Sequence, residues 1–152
     1  LLYSRQPKMG LTADVMVGFP GEGEREFRET KRFIENSPLN DLHVFRFSPR
    51  PGTKAALMEN QVSGKIKSER SQELIELGGC LRSEFLASLI DEELEVLTEE
   101  NTPQGLRGLS DNYVNIIIDP TAEINRFYRT RIVKMEKSGL RGKVASTQPA
   151  GT

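Results

Sequence analysis

The chain has 152 residues, 36% of them apolar and 28% charged, with a formal net charge of −1. That suits one ordinary domain or two small ones, is too apolar for a disordered chain, and favours no partner by charge alone. One cysteine, Cys80, and one histidine, His43, exclude an internal disulfide, a His- or Cys-based metal cluster and an iron–sulfur cluster ligated by this chain alone.

No apolar run approaches the roughly 20 residues that cross a bilayer, and "LLYSRQPKMG" lacks a basic segment followed by a long apolar one. A cytoplasmic chain is expected, without membrane contact. It opens on Leu1 rather than Met, which suggests a piece of something longer.

Residues 11–18 are apolar and rich in β-formers and run straight into a turn, so they read as a buried parallel strand. Residues 24–36 read as a helix: Glu22, Glu24 and Glu26 lie about its start, Lys31 and Arg32 near its end, and Asn36-Ser37-Pro38 stops it. Phe27, Phe33 and Ile34 are its expected inward stripe. "DLHVFRF", 41–47, puts Leu42, Val44 and Arg46 on one side and His43, Phe45 and Phe47 on the other, and reads as a second strand. Strand, helix, strand within about 35 residues is a βαβ unit, a piece of a parallel sheet or barrel. Standing alone it would leave two strand edges open.

A Pro/Gly loop, "SPRPGTKAALMENQV", leads to residues 65–90, where Leu74, Leu77, Leu81, Phe85 and Leu89 recur at helical steps. Gly78-Gly79 weakens that long helix and marks a place for a kink. Beyond Asp91 come five short β-rich runs, "LEVLTE", "GLRGLS", "NYVNIIID", "RFYRTRIVKME" and "GLRGKVAS", which read as a small antiparallel barrel.

Four places invite chemistry. In "DVMVGFPGEGEREF" the glycines have the spacing of a phosphate loop, but Glu24 and Arg25 stand where Lys and Ser/Thr would neutralise phosphates and hold Mg²⁺. The spacing is also not that of a dinucleotide fingerprint. A tight strand-to-helix turn remains, with Asp14 in an apolar strand either paired in a barrel interior or facing a ligand. Arg50, between two prolines at the carboxyl end of a parallel strand, is either a positioned anion contact or a solvated turn residue. Cys80, beside the leucine stripe and without a helper, reads as a plain helix residue, and His43 as a packed or hydrogen-bonded strand residue rather than a catalyst. From Arg126 to Lys143, seven bases (Arg126, Arg129, Arg131, Lys134, Lys137, Arg141, Lys143) face Glu136 alone and interleave with Phe127 and Tyr128. That is either a basic solvated face or an RNA surface, and the imbalance favours RNA.

Two of these stretches and the barrel resemble a known family. "GLTADVMVGFPGEGEREFRET", then "LHVFRFSPRPGTKAA", then a barrel of the "VLTEE…NYVNIIID" type, resemble the radical-SAM tRNA methylthiotransferases, in particular the branch acting on threonylcarbamoyladenosine at tRNA position 37. The resemblance spans residues 11 to about 144.

It implies a fold that is α/β plus all-β: terminal strands and helices of a radical-SAM partial barrel (1–62), a linking helix (63–92), a five-stranded antiparallel TRAM or OB-like barrel (93–146) and a tail (147–152). It implies an intact enzyme with S-adenosylmethionine (SAM) and two [4Fe-4S] clusters, in which a 5′-deoxyadenosyl radical takes the C2 hydrogen of the adenine and a methylthio group replaces it. The cluster cysteines have no counterpart here, so this chain alone is expected to ligate no cluster and to be inactive. By resemblance, Asp14, Val17, Gly18, Glu22, Phe45 and Phe47 contribute to the SAM pocket. Arg50, Arg107, Asn112 and Tyr113 become RNA contacts, joined by Arg126, Tyr128, Arg129, Arg131 and Lys134 from the basic run. The expected partners are a tRNA anticodon stem-loop and the preceding part of the same protein, not DNA. The alternatives are a stand-alone RNA-binding module and the sister enzyme for isopentenyladenosine.

Overall fold

The computed structural model describes residues 8–118, 122–137 and 139–147. These form two compact units: Leu11–Ser83, and residues 84–147 together with residues 8–10. Of the expected tail, residues 148–152 lie outside the described residues.

In the first unit, strand β1 (Thr12–Val17), helix α1 (Glu24–Glu35) and strand β2 (Asp41–Arg46) make the expected βαβ, followed by a one-turn α2 (Lys54–Leu57) and the long α3 (Gly64–Ser88). β1 and β2 are parallel and in register from Thr12↔Asp41 to Val17↔Arg46. Strand alternation sends Val15, Val17, Leu42 and Val44 to one face, where Phe27 and Ile34 of α1 and Leu74, Leu77 and Leu81 of α3 pack over them. Burial of such side chains stabilises by roughly 1.5–3 kcal/mol each.

Phe33, expected in the inward stripe of α1, is 72% exposed. At 3.6 residues per turn Ile34 lies about 20° from Phe27 around the helix, whereas Phe33 lies about 120° from it. α3 runs unbroken through Gly78-Gly79; Gly78 lets the helix approach β2, since a Cβ there would stand 3.2 Å from the Leu42 Cβ.

The second unit holds the end of α3 and five strands: β3 (Glu93–Thr102), β4 (Gly105–Ser110), β5 (Asn115–Ile118), β6 (Phe127–Glu136) and β7 (Gly139–Thr147). They close into a barrel in the order β3-β4-β5-β7-β6. Its core gathers Leu94, Val96, Leu106, Ile116, Ile118, Ile132 and Leu140 with Phe85, Leu86 and Leu89.

The barrel is not wholly antiparallel, because β5 and β7 pair in parallel. Geometry requires one such junction. Each antiparallel neighbour reverses direction, and five reversals around a ring cannot return to the starting direction. Asn112 and Tyr113, expected in a strand, fall in the turn between β4 and β5.

Candidate functional site

The first unit is covered on one face only. The other face of β1–β2 carries Thr12, Asp14 and Met16 beside His43 and Phe45, with Asp14 and His43, and Met16 and Phe45, directly opposite in the register. Met16 is 54% and Phe45 50% exposed. Two large apolar side chains held open on a sheet face, next to a carboxylate and an imidazole, form an unfinished wall that suits a flat ring with polar substituents. Asp14 is exposed on that wall, so within this unit it is not buried in a barrel interior.

The other residues expected at this site sit differently. Val17 is 1% exposed, on the helix-covered face, and its carbonyl accepts the Phe47 N–H at 2.8 Å. Only its backbone reaches the strand end. Gly18 adopts φ 75°, a left-handed conformation natural to glycine, and a Cβ there would overlap the Lys67 stem. Its N–H donates to Glu22 Oε2 at 3.0 Å. Phe47 meets Phe19 edge-on, with ring centroids 5.2 Å apart. The Lys67 ammonium lies 5.1 Å from the Phe47 ring centre and donates to the Phe47 carbonyl at 3.1 Å. The Gly21 N–H donates to the Asn60 carbonyl at 3.0 Å, tying the two loops at the carboxyl ends of the strands.

Lys67 and Arg70 were not among the expected site residues. Both precede Leu74 on the inward stripe of α3, by seven and four residues, and a base on an apolar stripe was the available signal. Arg50 is exposed, and its carbonyl accepts from the Thr53 N–H at 3.2 Å and hydroxyl at 2.8 Å.

On the barrel, the count of seven bases to one acid does not survive folding. β6 pairs with β3, which sets Glu93 opposite Arg131 and Glu95 opposite Arg129. Arg131 bonds Glu93 at 2.8 Å, Arg126 meets Glu123 at 3.4 Å and Arg107 meets Glu100 at 2.5 Å. Arg107, on β4, is separated from the β6 bases by β3.

What remains basic is the β6–β7 side. Arg131 faces Lys143 and Lys134 faces Arg141 across the strands. Like charges placed directly opposite destabilise a sheet. The second pair is bridged by Glu136, 2.6 Å from Arg141 and 3.2 Å from Lys134; hydrogen bonds from Arg141 and then Lys134 hold its carboxyl below the usual value. A group shifted this way stays charged down to its lowered pKa, so the bridge persists at mildly acidic pH.

Two expected RNA contacts belong to the barrel frame. Tyr128 is 6% exposed and its hydroxyl accepts the Glu123 N–H at 2.8 Å, so its ring is not free to stack on a base. Asn112 is 7% exposed: its Oδ1 accepts from the Ser110 hydroxyl at 2.6 Å and its Nδ2 donates to the Lys8 carbonyl at 3.0 Å. Tyr113, by contrast, is 78% exposed at φ 61°, an uncommon conformation for an aromatic residue that presents the ring to solvent. Phe127, at the start of β6, is 45% exposed.

Among the described residues no group of three His, Cys, Asp or Glu side chains could hold a metal ion, and Cys80 is exposed. The residues of this chain do not fit a [4Fe-4S] cluster. No helix among them is long and apolar enough to cross a membrane.

No family model matches the chain. It is 39% identical over 134 residues to the threonylcarbamoyladenosine tRNA methylthiotransferase MtaB of Bacillus subtilis, covering 84% of this chain and 30% of the relative. It is 32% identical over 143 residues to the tRNA-2-methylthio-N(6)-dimethylallyladenosine synthase of Aliarcobacter butzleri, covering 92% and 33%. With the synthase of the same name from Thermobifida fusca it shares 44% over 94 residues, 62% of this chain and 19% of the relative. The chain spans about a third of the length of the first of these curated relatives.

Proposed function

The chain belongs to the radical-SAM tRNA methylthiotransferase family, and from that premise we propose that it supplies one wall of a SAM pocket and an RNA-gripping barrel to a cytoplasmic enzyme that methylthiolates adenosine 37 of tRNA. The observation that carries this reading is the parallel strand pair covered by helices on one face and open on the other. In a partial barrel the open face would look inward, and the carboxyl ends of its strands, where Gly18 and Phe47 lie, would border the ligand site.

Met16 and Phe45 would flank the adenine, Asp14 would meet a polar edge of the nucleoside, and the backbone at Val17 and Gly18 would close the strand end. SAM, when bound, supplies the radical that removes hydrogen from the substrate carbon. The clusters that reaction needs are ligated outside this chain. What the chain's own residues do is bind and orient.

The favoured substrate is threonylcarbamoyladenosine. Its substituent carries a carboxylate, and exposed Arg50, its backbone fixed by Thr53 and its conformation narrowed by two prolines, offers a guanidinium to receive it. The relatives that act on dimethylallyladenosine support the sister substrate as the second reading. The test is the intact enzyme with tRNA carrying either group at position 37, methylthio addition being read by mass spectrometry. Addition to the threonylcarbamoyl tRNA is expected; addition to the dimethylallyl tRNA alone would transfer the assignment to the sister branch, and addition to neither would refute both.

RNA would be gripped by Arg129, Arg131, Lys134 and Lys143 on the β6–β7 side, with Tyr113 and Phe127 as stacking rings, and by Arg107 and Arg126 from flanking positions. Because Glu136 offsets one of the two positive charges it bridges, the wild-type salt slope falls short of what the bases alone would give. Glu136→Gln is expected to tighten an anticodon stem-loop severalfold and to steepen the slope of log affinity against log salt by about one. Titration at two salt concentrations measures both, and a slope unchanged by the substitution would remove β6–β7 from the RNA surface.

A further inference from the structure

Arg70 is 7% exposed, and its contacts join three segments. Nη1 donates to the Glu22 carboxylate at 2.6 Å and to the Glu22 carbonyl at 2.9 Å. Nη2 stands 3.8 Å from the Glu24 carboxylate, and the guanidinium lies 5.1 Å over the Phe27 ring. Its Nε is buried without a hydrogen-bond partner.

Glu22, whose side chain is 16% exposed, divides its carboxylate: Oε1 takes Arg70 and Oε2 takes the Gly18 N–H at 3.0 Å. A continuous path thus runs from α3 through Arg70 and Glu22 to Gly18, the residue that follows β1.

A buried ion pair is a poor source of net stability, since desolvating both charges offsets most of their attraction, and an orphaned Nε makes this one poorer still. What such a pair supplies is direction. One guanidinium nitrogen shared between the Glu22 carboxylate and carbonyl, with that carboxylate in turn holding the Gly18 N–H, fixes the turn in one orientation.

We propose that Arg70 is a positioning residue for SAM, acting through Glu22 to fix the Gly18 turn at the mouth of the cofactor wall. This rests on the functional reading above. Lys67 completes the device from the same face of α3: its stem packs where a Gly18 side chain would be, and its ammonium holds the Phe47 carbonyl. One helix thereby sets both strand ends that border the open face. The spread of the guanidinium matters as well as the charge, since Nη1 meets Glu22 while Nη2 stands 3.8 Å from the Glu24 carboxylate and the plane lies over Phe27, so lysine cannot replace Arg70 without loss.

The test uses Arg70→Lys and Glu22→Gln, alone and combined. In the intact enzyme Arg70→Lys, which keeps the charge, is expected to melt close to wild type and Glu22→Gln, which leaves the buried guanidinium with Glu24 alone, at a lower temperature; both are expected to raise the KM and equilibrium dissociation constant for SAM roughly tenfold to a hundredfold, the range small misplacements produce. The kcat at saturating SAM and the KM for tRNA should change little, and the double variant should be no worse than the worse single one. In the 152-residue chain, amide exchange at Gly18 should accelerate in each variant without SAM present. Unchanged SAM affinity in the variants would overturn the proposal while leaving the functional reading intact, as would equal loss of SAM and tRNA binding together with a lowered melting temperature. Failure of the wild-type enzyme to bind SAM would overturn the functional reading itself and the proposal with it, and the Gly18 exchange rates would then report a purely structural latch.

Discussion

Gly139→Ala is expected to open the barrel along its parallel junction and to destabilise that unit by about 3 kcal/mol. Gly139 begins β7 with φ 151°, a region closed to residues with a side chain, and a Cβ there would overlap the Asn115 carbonyl oxygen where β5 begins. The obstacle is backbone, so no rotamer change relieves it. β5 and β7 are joined in the register only at Ile116↔Leu140 and Ile117↔Arg141, which leaves little pairing to resist the separation. Amide exchange followed residue by residue is the right measurement, because a single melting curve would mix two units. Protection should collapse in β5 and β7 first and persist around Leu74 and Ile34. A variant with wild-type protection at Ile116 would show that the junction tolerates a side chain after all.

Tyr113→Gly should move stability and RNA affinity in different directions. Tyr113 is held at φ 61° by the bonds from its N–H to the Ser110 carbonyl at 2.9 Å and from the Ser110 N–H to the Val114 carbonyl at 3.0 Å. A left-handed conformation costs a side-chain-bearing residue about 1 kcal/mol, which glycine recovers, less the freedom glycine gains when unfolded. Stability should therefore stay level or rise slightly. The ring, 78% exposed, contributes almost nothing to the core, whereas a base stacked on it is worth about 1–3 kcal/mol. Affinity for the anticodon stem-loop should fall roughly tenfold or more. Tyr113→Phe should retain most of it. Stability falling in step with affinity would assign the ring to the turn and not to RNA.

The sequence made some features legible because they are local. β1, α1, β2 and the length of α3 follow from alternation, helical recurrence and turn residues within a few positions. The five barrel strands were visible for the same reason. What escaped depends on residues far apart in the chain. That β3 lies against β6, and so brings Glu93 and Glu95 to the arginines, cannot be read from the basic run itself. The parallel junction is a property of ring closure. Tyr128 and Asn112 carry polar groups that suit RNA equally well as they suit a buried hydrogen bond, and only the fold chose. Arg70 has a countable place on the α3 stripe, but its partner Glu22 lies 48 residues earlier in the chain, and the stripe itself does not point to it. The open wall was half legible, since the alternation of 41–47 put His43 and Phe45 on one side and only the structure shows that side uncovered.

β7 also governs the order in which the barrel can be made. It is inserted between β5 and β6, so every strand pair except β3·β4, β4·β5 and β3·β6 waits for it. During synthesis the first four barrel strands emerge with two unpaired edges, on β5 and β6, which β7 joins. A nascent chain stalled before residue 139 would therefore expose the kind of edge that recruits other strands. Expression truncated within β7 should accumulate as aggregate rather than as a smaller soluble barrel, and β7 acts as the keystone of the other four barrel strands.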